Sequence, residues 1–206
     1  MAHALHSFAD YEVFIMRNVM KYYAVATILI VTSISIHAQK TAVASETDDS
    51  AAKAAFEAAV NSYVTQRREI EAGMPTLSTE ATAEQLAAHK SALFKNIATQ
   101  RKAAKRGEIF TPSAVAMIAR IIKANYSDAE LANIKAENAE ADTKGLKLVV
   151  NAAYPEGREK VEMPPRMLLA LPELPEELNY HFIGRDLILL DKESGLIIDF
   201  MTNALP

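Results

Sequence analysis

Asp186, Asp191 and Asp199 fall in one short stretch, "NYHFIGRDLILLDKESGLIIDF" (Asn179 to Phe200), together with His181 and Arg185. Two carboxyl groups at a set separation can perform acid/base cleavage of glycosidic bonds. A histidine beside an aspartate and a serine can activate a nucleophile. Neither pattern is complete here. No Gly-x-Ser-x-Gly elbow occurs in the chain, and His-Glu-x-x-His is also missing. Asp186 and Asp191 sit at turn edges, where aspartate accepts backbone N–H bonds. Strict alternation along "LIIDF" puts Asp199 opposite Leu196, Ile198 and Phe200, facing solvent or Arg185. We therefore assign no catalytic, cofactor-binding or metal-ligating residue in this stretch.

Other chemistries are thinly represented. His89, on a predicted helix, and His181 are the two histidines beyond residue 44, and both read as half-exposed structural residues. The chain has no cysteine, so it has no disulfide, thiol nucleophile or Cys metal site. Glycine is scarce, and neither the Walker nor the Rossmann phosphate-loop spacing occurs. "QRKAAKRG" (Gln100 to Gly107) has the charge to meet an anionic surface. Without interleaved aromatics it makes a poor nucleic-acid patch, and it reads as a basic helix end matched to the helix dipole.

The elements that position these residues come after an unusual N-terminus. "MRNVMK" (Met16 to Lys21) is basic, and Tyr22 to Ile36 is apolar and uncharged. Ala42-Val43-Ala44 then supplies a small-x-small site before Ser45. That order predicts a secretory signal peptide over 16–44 with cleavage after Ala44, or alternatively after Ala38. The apolar run is shorter than the ~20 residues of a spanning helix, so no stable membrane anchor is expected after cleavage. Residues 1–15 include Asp10 and Glu12, which do not suit a signal peptide, and they read as a start-site artefact. The expected location is periplasmic or secreted. Without residues 1–44, which hold Arg17, Lys21, Lys40, Asp10 and Glu12, 19 basic and 24 acidic side chains remain, a net charge of −5. That mild acidity argues against a nucleic-acid partner.

Residues 45–206 are long enough to form a core of their own and read as a single mature domain, helical over 48–144 and β-rich over 146–206. Phe56, Val60, Tyr63 and Ile70 make one helical stripe, ended by Gly73 and Pro75. Thr82 with Gln85 opens a second helix, which carries Leu86, Leu93, Ile97 and Ala104 and extends to Gly107. Thr111-Pro112 opens a third, with Val115, Ile118, Ile121 and Ile122 on its apolar face. Ser127 with Glu130 opens a fourth, a surface helix fraying toward Gly145. "LKLVVNAAYPEG" (Leu146 to Gly157) predicts a strand, and "MPPRMLLALPELPEEL" is broken by proline into short helical turns. Gly184-Arg185-Asp186 and "DKESG" (Asp191 to Gly195) are reversals. The predicted fold is α+β: a bundle of three to four helices, then a small antiparallel β-meander, with 146–153 as a further strand.

The string "LPELPEELNYHFIGRDLILLD", with "RGEIFTP" (Arg106 to Pro112), "YPEG" and "MPP", resembles a group of uncharacterised exported bacterial proteins. The resemblance implies export and a shared fold and no chemistry. From Tyr180 to Phe200 the order of aromatics, Gly, apolar strand, Asp and Gly is also similar to the C-terminal hairpin of RcnB-type periplasmic proteins. That resemblance implies an accessory role in nickel and cobalt homeostasis. The chain lacks a His-rich segment, and no metal residue is carried over.

Both faces of "DLILLD" are apolar. Tyr180, Phe182, Leu187 and Leu189 form the side expected to pack on the helices. Ile183, Ile188, Leu190 and Ile197 form a second face that requires a cover, either "MLLAL" (Met167 to Leu171) or another chain. The leading expectation is an exported, non-catalytic binding or accessory protein that uses Ile183, Ile188, Leu190 and Ile197 to bind a protein partner or a second copy of itself. The alternatives are an envelope-polymer hydrolase using the meander carboxylates or Glu176 and Glu177, and an RcnB-like metal-homeostasis accessory protein.

Overall fold

A computed structural model of the chain describes residues 48–141, 143 and 145–206. The predicted start-site artefact, the signal peptide and its cleavage at Ala44 lie outside the described residues. The first helix, α1, covers 48–72, and its buried stripe is Ala52, Phe56, Val60, Tyr63, Val64, Arg67 and Ile70. Gly73 stops it, its N–H reaching back to the carbonyls of Glu69 (3.3 Å) and Ile70 (3.2 Å).

Helix α2 runs Ala83–Gln100 behind the Thr82–Gln85 capping box and buries Leu93 and Ile97. Leu86, expected on its apolar face, is exposed. The helix also ends earlier than predicted, at Gln100 with Arg101 as its C-cap, so the basic residues of 101–107 lie beyond its last turn. Helix α3, Pro112–Asn125, is capped by Thr111 and buries Ala114, Met117, Ile118 and Ile122. Helix α4, Asp128–Glu140, carries the Ser127–Glu130 capping box and buries Leu131, Ile134 and Asn138. A one-and-a-half-turn α5, Pro165–Ala170, buries Met167. Among the described residues, no helix is long and apolar enough to cross a membrane.

Strands β1 (Leu178–Ile183), β2 (Asp186–Asp191) and β3 (Ile197–Met201) form an antiparallel sheet in the order β1-β2-β3. Gly184, at φ 58°, takes the first position of the two-residue β1–β2 reversal, a conformation other residues adopt at a cost. The fold is thus α+β. Tyr180, Phe182, Leu187 and Leu189 pack into one core with Phe56, Val60, Leu93, Ile118 and Ile122, as their alternation predicts.

Three further expectations fail. Residues 146–153 do not form a strand. Asn151 adopts φ 67°, which interrupts any extended run, and only one isolated bridge, Ala153 to Leu196, follows. The second sheet face is covered within the chain. Ile183, Ile188, Leu190 and Ile197 are all buried, in a cluster closed by Tyr154, Leu146, Leu148 and Phe200. "MLLAL" does not supply that cover: Met167 lies in the main core, and Leu168 and Leu169 are exposed.

Asp199 is the third. Its burial is complete, and it does not face Arg185. The β2–β3 register slips between Leu189, opposite Asp199, and Leu190, opposite Ile197, leaving Ile198 as an extra residue. Such a bulge breaks the alternation. Asp199 therefore shares the helix side with Leu187, Leu189 and Met201, which pair across that register. There its carboxylate accepts the N–H groups of Gly107, Ile109 and Phe110, each with a contact at 2.9 Å, and of its neighbour Phe200 at 2.8 Å. These bonds satisfy the N–H groups of the loop between α2 and α3.

Asp199→Asn places an NH₂ donor among N–H donors and should lower unfolding stability by about 2–4 kcal/mol in urea titrations. A change below about 0.5 kcal/mol would show that the loop does not depend on the carboxylate. The Ser127 N–H and hydroxyl, followed by the Arg166 guanidinium, pull the Glu130 carboxyl from 4.5 to about 2. A depressed acid stabilises the fold above its unfolded pKa, and that contribution disappears as pH falls through the folded value. Wild type should therefore be more stable than Glu130→Gln at pH 7, with the gap closing between pH 4.5 and about 2. Urea midpoints across that range measure it.

Candidate functional site

Among the described residues, two of the clefts bring titratable side chains together with access from solvent. The first is built outward from Asp191, at the end of β2 and fully buried. Its Oδ1 accepts the Ser194 N–H and hydroxyl, both at 2.8 Å, which is the turn chemistry expected from the sequence. Its Oδ2 accepts the Tyr63 hydroxyl and Arg67 Nε, both at 2.9 Å, and these contacts were not foreseen. Burial, then the Asp191 charge, pushes the Tyr63 phenol far above its ordinary pKa, so it remains a donor. Burial alone would lower the Arg67 pKa. The charges of Asp191 and Glu71 more than offset that and hold it raised.

Arg67 then reaches toward the surface. Nη1 binds Glu71 Oε2, four residues on in α1, and Nη2 donates to Glu193 Oε2 at 2.5 Å. The Oε1 atom of Glu193 lies 3.6 Å from His89 Nε2 on α2. Glu71, His89 and Glu193 are half-buried and line a cleft of about 490 Å³ with Arg68, Met74 and Leu77. One ligand atom from each of the three lies within 4.8 Å of the others. Sequence reasoning missed this grouping because its members are far apart in the chain. One signal was present. Arg67 interrupts the apolar stripe between Tyr63 and Ile70, and an arginine on a core-facing stripe implies a buried acid opposite.

The second place is a groove of about 670 Å³ between α5, the Leu171–Glu176 segment and β1. Leu168 and Leu169, which are 52% and 87% exposed, stand at its rim. His181 lines it, with Nδ1 3.3 Å from the Val161 carbonyl, and burial holds its pKa below the ordinary histidine value. β1 is an outer strand of the sheet. An isolated bridge from Val161 covers it at Phe182, and the groove runs along Leu178 to His181.

The sites anticipated from sequence are distributed differently. Ile183, Ile188, Leu190 and Ile197 are internal and present no surface in this fold. Asp186 accepts the Asn203 N–H at 2.9 Å. Glu177 is paired with Arg68 at 2.5 Å, and Glu176 is exposed on the rim of the groove. The chain matches no family model, no curated protein and no solved structure.

Arg67→Met leaves Asp191 charged and buried without its cation. Removing one partner of a buried pair costs about 3–5 kcal/mol, so the variant should unfold at correspondingly lower denaturant. A loss under about 1 kcal/mol would show that Tyr63 and Ser194 suffice to hold Asp191.

Proposed function

We propose that the protein is exported and acts as a non-catalytic binding or accessory protein that captures an extended apolar segment of a partner polypeptide along β1. One observation carries the reading: two adjacent exposed leucines, Leu168 and Leu169, rim a groove that lies along an outer strand. Soluble surfaces expose single leucines freely, but a paired apolar rim over a concave floor favours a ligand. An outer strand offers backbone groups to an added peptide, and the flanking groove offers room for its alternate side chains. Export is supported by the basic, apolar and small-x-small order of residues 16–44.

The hydrolase alternative loses support from the same geometry. Asp191 and Asp199 are buried with their oxygens committed to structural bonds, so neither is placed to exchange a proton with a substrate. A photo-crosslinking residue at position 169 tests the binding reading in cells. It should join a discrete partner polypeptide, and a Leu168→Lys substitution should cut the yield about tenfold. Equal capture of the same partner from position 102, outside the groove, would overturn it.

A further inference from the structure

We propose that Glu71, His89 and Glu193 form a divalent-cation site, with zinc as the best-fitting ion. The three side chains arrive from separate elements: the last turn of α1, the middle of α2 and the β2–β3 loop. Their convergence is more than proximity of acids. Arg67 engages Oε2 of both glutamates, Glu193 Oε1 lies toward His89, and all three residues line the cleft. Carboxylates that ligate metals are commonly held in this way by a hydrogen bond to the outer oxygen. Arg67 is itself fixed from behind by Asp191, which Tyr63 and Ser194 also hold. The ligand set is thus preorganised from the core outward.

Distance and charge point the same way. Glu193 Oε1 and His89 Nε2 are 3.6 Å apart, too far for a good hydrogen bond. Two ligands each ~2.1 Å from a tetrahedral ion lie ~3.4 Å apart, close to that spacing. Asp191, Glu71 and Glu193 set three negative charges against the single positive charge of Arg67. Arg68, on the rim of the cleft, is already paired with Glu177. A dication would balance the two remaining charges of these four groups. One imidazole with two carboxylates suits zinc better than calcium or magnesium, which prefer all-oxygen shells. The cleft leaves room for water to complete the coordination. Bound there, the ion would tie the β2–β3 loop to both N-terminal helices, independently of the groove beside β1.

The test is calorimetric titration of the full chain with zinc chloride, with calcium chloride as the control. Saturable one-to-one zinc binding is expected, weakened about tenfold or more in both His89→Ala and Glu193→Gln. The His89 ring resonances should move with the first equivalent of zinc. This second readout uses unaltered protein and holds even if a variant fails to fold. Absence of zinc binding by wild type, affinity unchanged in both folded variants, or a shift at any other histidine in place of His89 would overturn the site.

Discussion

Asp191 has no contact with solvent, yet it carries a carboxylate. Burying that charge is costly unless every oxygen is used and a cation lies close. The chain meets both conditions by drawing Tyr63 and Arg67 from α1 onto the end of β2, while Ser194 closes the other side from the hairpin loop. The register of the first helix against the sheet is set by this pairing, because a shift of one helical position would remove Arg67 from the acid and leave it unpaired. The apolar core alone would tolerate small slips, since its contacts are non-directional. The ion pair does not.

A second aspartate performs a parallel task for the middle of the chain. Asp199 gathers the N–H groups of the loop between α2 and α3, which would otherwise be buried donors without acceptors. "RGEIFTP" becomes intelligible through this contact. Gly107 adopts φ 89° so that its N–H can turn inward, and Thr111-Pro112 then starts the next helix. The segment and the final strand are parts of one interaction although about 90 positions separate them.

Much of the architecture was legible from sequence. The stripe Phe56, Val60, Tyr63 and Ile70 and both capping boxes gave helix positions and faces, because local spacing and local hydrogen bonds determine them. The meander and its helix-facing side were legible through period-two alternation and glycine turns. The failures share one cause, which is long-range override of a local rule. A bulge at Ile198 turned Asp199 inward. A left-handed Asn151, whose side chain reaches the Ala98 carbonyl, broke the expected extra strand. The ion network around Arg67 joins residues more than 120 positions apart, so no window of sequence contains it. Its trace was a single charged residue on an apolar stripe.

These separations also govern when the fold can be completed. Tyr63 and Arg67 wait for a partner that follows 128 and 124 positions later, and the α2–α3 loop waits for the last strand. Contacts of such long range form slowly, because loop-closure entropy must be spent before they give any return. In a chain emerging N-terminus first, these two polar clusters are completed only after residues 191 and 199 have appeared. Until then the apolar side chains of the first two helices that pack on the sheet lack their partners, and partly folded chains with such surface uncovered are prone to associate.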